Sequence, residues 1–154
     1  MLMFEREKSI KAHRNDNSVK IDAHFKDKFH DIEVSMVFSL ESKTILSARV
    51  QMNTVPFDIC HEVCDSLNGL VGLIIKKGIG KKIQEIIGKS NGCAHLFDIV
   101  MDILKVLTQV DFCLLPEEMS FDEKIEHLKT VNKGICHTYS NLERNPEYIG
   151  VREL

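Results

Sequence analysis

The hydrophobic pattern of this chain changes period once, near Pro56, and that change limits its possible folds more than any other feature. Ahead of it, residues 19–27 alternate Val19, Ile21, Ala23 and Phe25 with polar neighbours. Residues 32–40 repeat the alternation with Ile32, Val34, Met36, Phe38 and Leu40. After the turn-like Glu41-Ser42-Lys43, the residues Leu46, Ala48, Val50 and Met52 continue it. Successive side chains on a strand point to opposite faces, so three such runs predict an antiparallel meander with one buried face. A weaker strand signal near residues 4–12, turning at Asn15-Asp16-Asn17, makes residues 1–18 an edge strand or a weakly ordered lead-in.

Behind Pro56, the residues Phe57, Cys60, Val63, Cys64, Leu67, Val71 and Ile74 recur three or four positions apart, the mark of an amphipathic helix. Pro56 suits a helix entrance because the donor it lacks would be unpaired there. A second helix ends at Gly88. The third begins near Gly92, with Leu96, Phe97, Val100, Met101, Leu104 and Leu107 as its expected buried stripe. Ser120 and Glu123 have the spacing of a capping box and predict a further short helix. The expected fold is α+β: a three- or four-stranded antiparallel sheet followed by helices packed on one face. A single domain over 1–154 is expected, with the meander at 19–54, helices at 56–110, and a short helix and tail at 111–154.

A chain of 154 residues can bury a core without disulfides. Its net charge of −3 gives no bulk attraction to nucleic acid or an anionic membrane, so neither is expected as a partner. No apolar run approaches the roughly 20 residues of a membrane helix. The charged N-terminus does not suit a secretory leader, which makes the cytoplasm the expected compartment. Five cysteines without disulfide spacing are then free thiols. The run Lys76-Lys77-Gly78-Ile79-Gly80-Lys81-Lys82 resembles a phosphate cradle but lacks the glycine and hydroxyl positions of a P-loop. It reads first as a solvated helical-hairpin edge, and second as a weak anion site.

Parity suggests where chemistry gathers. The turn between the first two strands of the meander holds His30 and Asp31, and the exit of the third strand leads to Cys60. If the two helices that follow form an antiparallel pair, the third starts at the same end, with Cys93 and His95 in its first turn. Thiolate and imidazole bind zinc and iron, and a carboxylate can complete or orient the set. His30, Asp31, Cys60, Cys93 and His95 are therefore the candidate metal residues. Each has a plainer reading: Cys60, Cys64 and Cys93 fall in phase with apolar stripes, and Asp31 can simply pin a turn. Cys64 and Cys113 read as packing, and His24 as surface. Cys93 and His95 can act together only if Cys93 sits at the helix cap, because i and i+2 do not share a face. Cys136 and His137 are adjacent but have no partner element.

The ordered set His30-Asp31, Pro56, Cys60, Leu70-Val71-Gly72-Leu73, Gly80 and Gly92-Cys93-Ala94-His95-Leu96 resembles a bacterial family catalogued only as a domain of unknown function. That family is recognised by a Gly-Cys-Thr-His-Leu signature; Ala94 replaces the threonine, and Ile32 the methionine usual after His-Asp. The likeness covers roughly residues 14–110 and implies no established activity. More distantly, the order of sheet and helices is similar to NifU-type iron–sulfur scaffold proteins, whose ligands occupy the first hairpin turn and two helix starts. The hairpin cysteine of that family is absent, so the resemblance implies a mononuclear zinc or iron site, or a changed role, rather than ordinary cluster assembly. The expected function is a metal-binding accessory protein linked to metal or iron–sulfur handling. The rivals are a thiol enzyme with Cys93 as nucleophile, and a non-catalytic interaction domain.

Overall fold

The computed structural model describes residues 1–134 and 136–144. Four strands, β1 (Arg6–Asn15), β2 (Ser18–Asp27), β3 (Asp31–Ser39) and β4 (Ile45–Thr54), form one antiparallel sheet in sequential order. The weakest sequence signal proves to be a full ten-residue strand, β1, paired along its length with β2. Its alternation is faint because every one of its residues except Ile10 is exposed. The β1–β2 turn falls at Asp16-Asn17, with Asp16 at φ 45°, a conformation aspartate tolerates better than most residues.

The inner faces of β2 and β3 carry the expected residues, and Val19, Ile21, Ala23, Phe25, Ile32, Val34, Met36 and Phe38 are all buried. A one-residue slip would turn all of them to solvent, so burial fixes the register. In β4, Ala48 and Met52 are buried as expected, but the phase shifts at the start of the strand, where Ile45 is buried while Leu46 is half exposed. A register irregularity opposite Val37 and Phe38 places one extra residue in β4 and moves the pattern by one.

Pro56 does end the sheet pattern, but residues Asp58–Leu70 wind as 3-10 turns rather than an α-helix. Of that segment only Leu67 and Leu70 are buried, three apart, which matches three residues per turn, whereas Phe57 and Ile59 point outward. Helix α1 (Ile79–Ile87) buries Ile83 and Ile87, and α2 (Ala94–Cys113) buries Leu96, Ile99, Val100, Ile103, Leu104 and Leu107. Phe97 and Met101, expected in that stripe, are half-buried at its margin, because Ile99 and Ile103 take the central positions. Lys8 of β1 bonds Asp102 at 2.7 Å and ties α2 to the sheet.

Residues 1–107 make one compact unit, and the described residues from 108 onward a second. In the second, α3 (Phe121–Asn132) carries the expected capping box between Ser120 and Glu123, and α4 (His137–Ser140) starts at the Cys136-His137 pair. Cys113, read as packing, is exposed. Among the described residues no helix is long and apolar enough to cross a membrane.

Candidate functional site

The β2–β3 turn is organised by Asp27. Its Oδ1 accepts the backbone N–H groups of Phe29 (2.8 Å) and His30 (2.9 Å), an arrangement that locks a short turn. The same oxygen accepts the His30 Nδ1 proton at 3.0 Å, and Oδ2 accepts the Arg6 guanidinium at 2.9 Å. Asp27 has no exposed side-chain surface, whereas Arg6 remains 41% exposed. Burial pushes the Asp27 carboxyl upward in pKa, but the bonds from Phe29, His30 and Arg6 outweigh it and hold the group well below the usual carboxylate range. An ionised carboxylate only accepts, so His30 carries a proton on Nδ1, which leaves Nε2 as the ring nitrogen for a ligand.

His95 comes to this turn from the first turn of α2. The His30 and His95 ring centroids are 4.2 Å apart, and the Phe25 ring lies 5.2 Å from His95. Burial lowers the His95 pKa from its ordinary value; His30 and Arg6 push the same way, while Asp27 and Asp98 oppose them. The shift favours the neutral imidazole, whose lone pair can bind a ligand. Donor atoms of Asp27, His30 and His95 all lie within 4.8 Å of one another, a spacing open to a metal ion.

The start of α2 explains the Gly-Cys-x-His-Leu run. A Cβ on Gly92 would lie 2.0 Å from the Ile87 carbonyl oxygen, so only glycine permits this close approach. The approach lets the Cys93 N–H bond that same carbonyl at 2.9 Å, while the Cys93 carbonyl accepts from Phe97. Cys93 thus caps the helix, His95 faces the turn, and Leu96 is the first fully buried residue of the stripe.

Of the residues singled out in the sequence, His30 and His95 meet. Asp31 lies elsewhere, on the outward face. It bonds the His24 ring at 2.9 Å, Asn53 at 3.2 Å and Lys26 at 3.3 Å. His24 and Asn53 lead in lowering its pKa to about 2, burial opposes them, and Lys26 adds to the lowering. His24, Asp31 and Glu33 form a second group of neighbouring donors there. No cysteine joins either group among the described residues. Cys60 is half-buried near the start of the 3-10 segment, its N–H bonded to the Phe57 carbonyl. Cys64 is pushed up in pKa by burial, then by Asp65 and Cys93.

Asp27 and Arg6 were not singled out in the sequence. A signal for Asp27 existed: it continues the inward phase of Phe25, and aspartate three residues before histidine is a turn-closing spacing. Arg6 offered none, because its role depends on β1 pairing with β2 so that Arg6 faces Asp27.

A family model described as Protein of unknown function (DUF2889) matches residues 4–109. No curated protein and no solved structure matches the chain.

Proposed function

The chain belongs to the DUF2889 family of unknown function, and on that premise we propose that it is a metal-binding accessory protein whose site is the His30–His95 pair. One observation carries the proposal. Two imidazoles 65 positions apart in sequence stand 4.2 Å apart, one of them oriented by a carboxylate. A carboxylate that fixes the tautomer of a ligating histidine is the usual support behind zinc and iron sites. Asp27 already accepts four donor groups, so it serves behind His30 rather than as a free ligand. Two protein imidazoles leave coordination positions for water, a substrate or a partner's donor, unlike a closed structural zinc site with four protein ligands. That incompleteness suits metal handling better than a permanent structural ion. An iron–sulfur cluster is disfavoured, since thiolates hold such clusters and, among the described residues, no cysteine stands with the pair.

The test is titration of metal-free, anaerobically prepared protein with zinc and with ferrous iron. His30→Ala and His95→Ala should each abolish stoichiometric binding with the fold retained. Asp27→Asn should weaken binding about 10–100-fold. Cys93→Ala should leave affinity within a few-fold of wild type. Loss of binding in Cys93→Ala but not in the histidine variants would move the site to the thiols. Equal binding in all variants would remove it from this pole altogether.

A further inference from the structure

A net charge of −3 conceals an uneven distribution. Segment 71–82 holds Lys76, Lys77, Lys81 and Lys82 and no acidic residue, and all four lysines are exposed. Backbone bonds fix the segment. Ile45 N–H donates to Leu73, Gly72 N–H to Ile45, and Ile75 N–H to Lys43, each within 2.9 Å, so it runs alongside the start of β4. This is the end of the sheet opposite His30, because Ile45 pairs near Phe38 whereas Thr54 pairs with Asp31.

Three large aliphatic residues stand exposed here: Leu46 at the β4 irregularity (50%), Val71 (46%) and Ile74 (52%). The lysines follow directly. Gly78 turns the chain at φ 88°, and the bonds from Ile79 to Lys76 and from Lys81 to Gly78 draw the two lysine pairs around that turn. Lys81 and Lys82 lie in the first turn of α1, which contains no acid, so the helix dipole adds to their positive potential. Lys82 approaches Glu85 only at 3.8 Å.

We infer that this aliphatic and lysine-rich end of the sheet docks on the surface of an anionic lipid bilayer. Aliphatic groups entering the acyl boundary and lysines at the headgroups are the two components of interfacial binding. Nucleic acid fits less well. The segment has no arginine to fork onto phosphate and no aromatic ring on which a base could stack.

The experiment is vesicle flotation of the full chain at low and high salt. One vesicle set is phosphatidylcholine alone; the other includes phosphatidylserine at about 30%, enough to give a negative surface potential. The protein should float with the anionic vesicles only, and less so as salt rises. Lys76→Glu with Lys77→Glu should reduce partitioning at least about tenfold. Ile74→Ser should reduce it while keeping the salt dependence, with circular dichroism confirming both variants folded. Equal flotation with both vesicle types, or undiminished flotation of the lysine variant, would overturn the inference. So would binding of a short DNA duplex through these lysines without vesicle binding.

Discussion

Replacing Asp27 by asparagine keeps the shape of the side chain and removes its charge. The asparagine oxygen can still accept the Phe29 and His30 N–H groups and the His30 ring, which together use a single oxygen in the native turn. The amide NH2 must then face the Arg6 guanidinium, donor against donor, where the native Oδ2 accepts at 2.9 Å. Hydrogen bonds to charged groups contribute about 1.5–3 kcal/mol. Arg6 can rehydrate, which keeps the cost below the roughly 3–5 kcal/mol of orphaning a fully buried charge. We expect Asp27→Asn to lose about 2 kcal/mol at pH 7, read from urea midpoints by circular dichroism. The loss has a pH signature. Because the folded carboxyl is held below its unfolded value, its stabilisation is complete above about pH 4 and fades as pH falls toward the folded value. Wild type and variant should therefore converge in acid. A loss under about 0.5 kcal/mol at pH 7, or a gap that does not narrow with acidification, would refute this account of the turn.

Gly92→Ala must displace the Ile87 backbone, and a thermal melt should show a loss of about 1–3 kcal/mol or more, with metal binding lost as His95 shifts. Asp31→Asn should lower the urea midpoint slightly at neutral pH, because the bonds from His24, Asn53 and Lys26 favour its ionised form, and should leave metal affinity unchanged; reduced metal affinity would return Asp31 to the site. Cys64→Ser should cost about 1 kcal/mol, because Cys64 is only half-buried, and metal content should not change. Metal affinity should hold above about pH 7 and weaken below about pH 6 as protons compete for the imidazoles. His95 should resist that competition to a lower pH than an ordinary histidine, because its own pKa is depressed; calorimetry across that range measures it.

Periodicity is a property of neighbouring residues, and what depends on neighbours alone could be read in advance. The alternation of Val19 to Phe25 and of Ile32 to Phe38 determines two strands and the face each buries. Ser120 and Glu123 determine a helix start. The run Gly92 to Leu96 determines where α2 begins, although only the contact with Ile87 explains why glycine is required. Other features needed the folded chain. The 3-10 winding of Asp58–Leu70 came from which residues found burial, Leu67 and Leu70, and not from the apolar spacing. The irregularity in β4 reversed Ile45 and Leu46, because a strand's phase answers to its partner as well as to its own pattern.

The candidate site divides along the same line. Histidines at a turn and at a helix start were visible as local features, and counting strand and helix directions brought them to one end. Direction alone cannot resolve a few ångströms. It left Asp31 as a candidate beside His30, yet strand parity sends Asp31 outward, opposite in phase to the buried Ile32, and sends Asp27 inward beside Phe25. It gathered Cys60 and Cys93 as well, but a capping position commits Cys93 to the start of α2 and leaves His95 to reach His30. Arg6 enters only through the pairing of β1 with β2. Local pattern determined which elements this chain forms; side-chain direction within the packed structure decided which donors share one place.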